Sequence, residues 1–80
     1  MILQDDIKTI LKEVVNPELN VSIVDEGIVR EINIDEAKVS IILSHRYAGT
    51  PLAEYFTSII TQKLEVLPGI DSITVEFAEE

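Results

Sequence analysis

One stretch constrains this chain more than any other: residues 28–44, where apolar and polar side chains alternate on both sides of Asp35, Glu36 and Ala37. Before the turn, Ile28, Ile32 and Ile34 fall on one face of an extended segment, and Glu31 and Asn33 fall on the other. After it, Val39, Ile41 and Leu43 alternate inward within residues 38–44. A period of two belongs to a strand with one face covered. Strands joined by so short a loop pair antiparallel, so this stretch predicts a hairpin.

The flanking segments carry the helical period. Leu3, Ile7, Ile10, Leu11, Val14 and Val15 recur at three-and-four spacing, which places them on one helix face. Asp5 and Asp6 sit where the helix dipole favours carboxylates, with Lys8 and Lys12 toward the other end. Pro17 biases Asn16 away from helical angles, so this helix is expected to stop near Val15. Val21 and Ile23 alternate with polar neighbours and predict a short extended piece. Gly27 is expected to take a backbone angle that other residues resist. Residues 45–49 read as a loop leading to Thr50–Pro51, a helix entry with Thr50 as N-cap and Pro51 at the first position. Leu52, Tyr55, Phe56, Ile59, Ile60, Leu64 and Leu67 form the apolar stripe of this second helix, which Pro68–Gly69 ends. Ile73, Val75 and Phe77 mark a last strand over residues 73–77, after which Ala78, Glu79 and Glu80 fray.

The predicted order is α-β-β-α-β. Two amphipathic helices on one face of three strands give a two-layer α+β sandwich, with the polar strand positions left in water. The 80 residues suit one domain, 1–80. The pattern itself leaves the strand order open.

Charge and composition narrow the function classes. Six Lys and Arg stand against fifteen Asp and Glu, a formal net charge of −9. A nucleic-acid or anionic-membrane partner needs a basic face, so neither is expected. No apolar run reaches the ~18 residues of a membrane span, and no secretory leader pattern opens the chain. Cysteine is absent, which removes disulfides, thiolate ligands and a thiol nucleophile. A cytoplasmic address is the expectation. The pairs Asp5–Asp6, Asp35–Glu36 and Glu79–Glu80 lack the ligand spacing of a calcium loop, and no phosphate loop, serine elbow or zinc-binding motif is present.

Three short motifs, in order, resemble the SufT/PaaD-like family of metal–sulfur cluster biosynthesis domains. Members read Val-x-Asp-Pro-Glu after the first helix; Val14, Val15, Asn16, Pro17 and Glu18 stand there. They continue with Val-Asp-Leu-Gly-Leu-Val, matched by Val24, Asp25, Glu26, Gly27, Ile28 and Val29. A loop of the type Thr-x-x-x-Cys-Pro opens their second helix, in the place of Tyr47, Ala48, Gly49, Thr50, Pro51 and Leu52. The ending, Pro68-Gly69-Ile70 and then a strand, is similar too. The resemblance implies the iron–sulfur cluster assembly (FSCA-like) fold, a three-stranded mixed sheet with both helices on one face. Three positions depart from it. The loop cysteine aligns with Thr50, Asn16 replaces an aspartate, and Glu26 replaces an apolar residue. A hydroxyl is neither a soft-metal ligand nor a ready nucleophile at neutral pH.

The family-motif and contact candidates are therefore Asn16, Glu18, Asp25, His45, Tyr47 and Thr50. Thr50 reads as a helix cap, beside free N–H groups that could hold an anion. His45, the single histidine, reads as an exposed loop residue or a general base, and Asp25 is the acid that could reach it. Asp25 reads as a brace for the turn at Gly27, or else borders a pocket with Glu18. Tyr47 is a binding contact or lies back over the sheet edge. No catalytic residue, cofactor or bound metal is expected. The resemblance implies a non-enzymatic accessory domain that docks to an iron–sulfur assembly or client protein. Its alternatives are an accessory subunit of an oxygenase complex of the phenylacetate-degradation type and a homo-oligomer, such as a homodimer, without the ancestral activity.

Overall fold

The computed structural model describes residues 3–79. Its centre is strand β4 (Lys38–Leu43), which lies between β3 (Val29–Asp35) and β5 (Ser72–Phe77). β3 pairs with it antiparallel and β5 parallel, so the sheet is mixed. On one face Val39, Ile41 and Leu43 are buried. Their cross-strand neighbours are Ile34, Ile32 and Val29 on β3 and Ile73, Val75 and Phe77 on β5. The opposite face carries Glu31, Asn33, Ser40, Thr74 and Glu76, the expected wet side. A register shift between Val29 and Glu31 changes one expected assignment. The extra residue, Arg30, lets Val29 share the apolar face with Ile32, while Ile28 is buried just before the strand.

A parallel return from β4 to β5 needs a crossover. Helix α3 (Pro51–Leu64) supplies it and covers the sheet together with α1 (Gln4–Leu11). Ile7 and Leu11 from α1, and Phe56, Ile60 and Leu64 from α3, are fully buried. Their spacing of four residues is what puts them on single faces. Tyr55, placed in the apolar stripe by periodicity, is instead 43 % exposed. Lys63 at the end of α3 pairs with Glu13 at 3.7 Å, and Gln4 Nε2 donates to Ile32 O at 2.6 Å, tying α1 to the edge strand.

The first helix is shorter than periodicity predicts. It ends at Leu11, and Val15–Asn16 (β1) pairs instead with Val21–Ser22 (β2). The cause is local. Asn16 Oδ1 accepts from Glu18 N at 2.9 Å and Asn16 O from Asn20 N at 2.7 Å. Val14 O accepts from Ile23 N, so these groups close a small hairpin instead of another helical turn. Ile23, expected to be extended, opens a one-turn helix α2 (Ile23–Glu26), because Ser22 Oγ accepts from Val24 N and caps it. Gly27 ends it at φ +83°, the left-handed angle anticipated there.

A short 3₁₀ turn, His45–Tyr47, precedes α3. Ala78, expected to fray, is tied down: its N–H donates to Leu43 O, and its carbonyl lies 3.1 Å from His45 Nδ1. Glu80, assigned to the same frayed end, lies outside the described residues. Among the described residues no helix is long and apolar enough to cross a membrane.

The β3–β4 turn closes on the Asp35–Lys38 pair, with Glu36 at φ +55°. A side chain at that angle is strained, and glycine relieves the strain at some cost in unfolded-chain entropy. Glu36→Gly is expected to raise stability by about 0.5–1 kcal/mol in urea denaturation, with the m-value unchanged.

Candidate functional site

Where the β1–β2 hairpin, α2 and the turn after β4 meet, the chain buries a polar cluster. Asn16 is fully buried, and each of its side-chain polar atoms has a partner. Its Nδ2 donates to Glu26 Oε1 at 3.0 Å and to the Tyr47 hydroxyl at 2.9 Å, and its Oδ1 holds Glu18 N. The Tyr47 hydroxyl donates in turn to Glu26 Oε2 at 2.5 Å. Arg46 Nη1 completes the set at 3.3 Å from the same oxygen. The Glu26 side chain is 5 % exposed and that of Arg46 60 %, so a withdrawn carboxylate meets a cation that reaches in from water. Removing a carboxylate from water is costly, and charge-assisted hydrogen bonds are what offset it. Among the described residues no buried side-chain polar atom lacks a partner.

Tyr47 thus turns inward, over the core. Its ring meets Phe56 edge to face, with centroids 5.6 Å apart. Thr50 occupies the N-cap position of α3, yet its hydroxyl makes no cap hydrogen bond; it donates to Tyr47 O at 2.6 Å. That bond fixes the loop to the turn before it. Asp25 departs from its expected role as a brace. It is exposed, and among the described residues its side chain makes no hydrogen bond, because Gly27 N–H is already held by Ile23 O and Val24 O. His45 is exposed too, its ring turned to Ala78 O, and it makes no hydrogen bond with Asp25.

Outside the cluster lies an open groove. Pro17, Pro51, Leu52 and Tyr55 give it apolar walls, with Glu18, Arg46, Tyr47 and Thr50 around them. Of the six sequence candidates, Glu18, Tyr47 and Thr50 line it and Asn16 lies buried behind it, bonded to Tyr47; Asp25 and His45 do not line it. Sequence reasoning passed over Glu26 and Arg46 as participants. A signal existed: an acid where the resembling motif has an apolar residue requires donors nearby, and Asn16 is also a departure from the motif.

Among the described residues, neither Thr50 nor His45 is hydrogen-bonded to the other or to a carboxylate. Thr50 Oγ1 and the His45 ring each bond to a backbone carbonyl. An iron–sulfur cluster, as cargo, calls for thiolates, and the chain has no cysteine. Among the described residues no three His, Asp or Glu side chains gather as metal ligands would. The donor set does not fit a cluster held by this chain alone.

Two outcomes follow from the polar cluster. Asn16→Asp sets a second carboxylate against Glu26 and removes a donor, an expected loss of about 3 kcal/mol. Adding Glu26→Gln restores more than half of it, as read by a denaturation double-mutant cycle. The Tyr47 phenol is held above its usual pKa of 10.0, chiefly because it donates to Glu26; desolvation adds to this, and Arg46 opposes it. A raised value means that the fold favours the neutral phenol. The stabilisation is therefore complete below about pH 10 and lost as pH climbs through the raised value. Stability against pH, compared between wild type and Tyr47→Phe, should show this alkaline loss in wild type alone.

Comparison with known proteins agrees with this fold. Residues 4–77 match the family model described as iron–sulfur cluster assembly protein. The chain is similar to an iron–sulfur cluster carrier protein of Synechocystis sp., at 29 % identity over 80 residues, all of this chain but 23 % of that protein. It thus spans about a quarter of that relative's length. An uncharacterised protein of Methanocaldococcus jannaschii is 27 % identical over 78 residues, covering 94 % of this chain and 80 % of that one. Among solved structures, a domain of unknown function, DUF59, from Bacillus anthracis superposes with a TM-score of 0.83 at 26 % identity, over 94 % of this chain and 73 % of that one. Rv1466 from Mycobacterium tuberculosis, a protein associated with Fe–S complex assembly and repair, shares the fold. Its TM-score is 0.70 at 21 % identity, over 95 % and 67 % of the two chains. With the fold and the match to nearly its whole length in accord, the chain belongs to the iron–sulfur cluster assembly protein family.

Proposed function

We propose that this chain is a non-enzymatic docking module in iron–sulfur protein assembly, one that seats a segment of an assembly or client protein in the groove between the β1–β2 hairpin and the start of α3. The observation that carries the reading is the groove itself. Its walls are apolar, while the polar groups behind it are satisfied within the chain. Apolar concavities with a few oriented polar groups are the usual form of a binding site, and a half-exposed aromatic such as Tyr55 is the kind of side chain that anchors one. Family membership supplies the context of assembly, and the missing thiolates favour contact over cluster holding.

Two measurements test this. Anaerobic reconstitution of the purified chain with iron and sulfide should yield no stable cluster absorbance; a cluster retained through gel filtration contradicts the reading. Capture of an iron–sulfur assembly or client protein from native extract should fall several-fold with Tyr55→Ala while the variant stays folded by circular dichroism. Undiminished capture would place the contact elsewhere.

A further inference from the structure

The groove carries an unbalanced charge, and that imbalance indicates what fits it. Two side chains that are charged at neutral pH stand beside its apolar walls, Glu18 and Arg46. Arg46 is answered from within, because Glu26 Oε2 lies 3.3 Å from its Nη1. Glu18 is exposed, and among the described residues its side chain has neither an ion-pair nor a hydrogen-bond partner. The uncompensated charge at the groove is therefore negative. The net charge of −9 over the chain gives a field of the same sign at longer range.

We propose that the groove receives a cationic segment of a partner protein, an aliphatic side chain flanked by Lys or Arg, with the aliphatic group against Leu52 and Tyr55 and a flanking cation at Glu18. This rests on the docking function above and names the chemistry of its partner. An acidic segment would meet Glu18 unpaired, and the one cation at the groove, Arg46, is already partly neutralised by Glu26. A second copy of this chain brings the same −9 and is repelled. Complementary charge chiefly raises the association rate and sets specificity, so binding through Glu18 should weaken as salt screens it.

The test uses the whole ¹⁵N-labelled chain and three synthetic peptides, Ac-Ser-Lys-Leu-Lys-Ser-NH₂, Ac-Ser-Glu-Leu-Glu-Ser-NH₂ and Ac-Ser-Lys-Ala-Lys-Ser-NH₂. The Lys–Leu–Lys peptide is expected to shift the amides of Thr50, Leu52 and Tyr55, with affinity at least about fivefold above either other peptide. Glu18→Gln should lower that affinity several-fold without moving the amides of the sheet. Equal or tighter binding of the Glu–Leu–Glu peptide overturns the charge assignment while leaving docking intact. Concentration-dependent shifts of the same amides without peptide assign the groove to a second copy and overturn it. Absence of any groove binding at millimolar peptide also overturns it, and the Tyr55→Ala capture experiment then decides separately whether docking survives.

Discussion

A carboxylate taken out of water must be met by donors, and in this protein the donors for Glu26 come from separate parts of the chain. Asn16 reaches it from the β1–β2 hairpin, and Arg46 and Tyr47 reach it from the turn after β4. All of these bonds end on α2, and the bond from Asn16 Nδ2 to the Tyr47 hydroxyl closes the seam between the small hairpin and the turn after β4. Breaking the Asn16 bond leaves Glu26 Oε1 without a donor, a larger loss than the net worth of the bond itself. The cluster therefore fixes the hairpin, α2 and the loop before α3 relative to one another. Pro17 and Glu18 reach the groove only because Asn16, beside them, is anchored.

The sheet was legible because its signal is local. Alternation in residues 28–44 and the short turn specified β3 and β4 nearly to the residue, and Ile73, Val75 and Phe77 marked β5. The four-residue spacing of Phe56, Ile60 and Leu64 likewise marked α3. Strand order did not follow from the pattern, since a crossover helix is compatible with more than one neighbour; the mixed sheet was an expectation of the family resemblance. Periodicity carried the second helix on to Leu67, whereas α3 ends at Leu64, and it misread two places where a polar side chain competes with the backbone. Val14 and Val15 continue the helical stripe, but Asn16 and Asn20 close a hairpin there. Ile23 continues an extended alternation, but Ser22 caps a helical turn.

The candidate site was half legible for a related reason. Motif position singled out Asn16, Tyr47 and Thr50, and all three surround the seam. Asp25 occupied an acidic motif position, yet the neighbouring Glu26 turns inward while Asp25 faces water. Adjacent residues on a one-turn helix point about 100° apart, and nothing in composition tells which one faces the core. The two inward departures from the family pattern, Asn16 and Glu26, bond to each other. They form one polar unit, and the Thr50 hydroxyl in the third departing position bonds to Tyr47 of the same unit. In the loop where the resembling motif carries a cysteine, this chain is held by a hydrogen bond from Thr50 to Tyr47.

The most direct test of this account is the solvent exchange of the Asn16 side-chain amide protons, followed by NMR with the exposed amides of Asn20 and Asn33 as internal references. With both Nδ2 protons held, one by Glu26 and one by Tyr47, the Asn16 protons should exchange at least about a hundredfold more slowly than the references. Exchange at the reference rate would show that the polar seam is open in solution, and the ordering of the groove ascribed to it would be wrong.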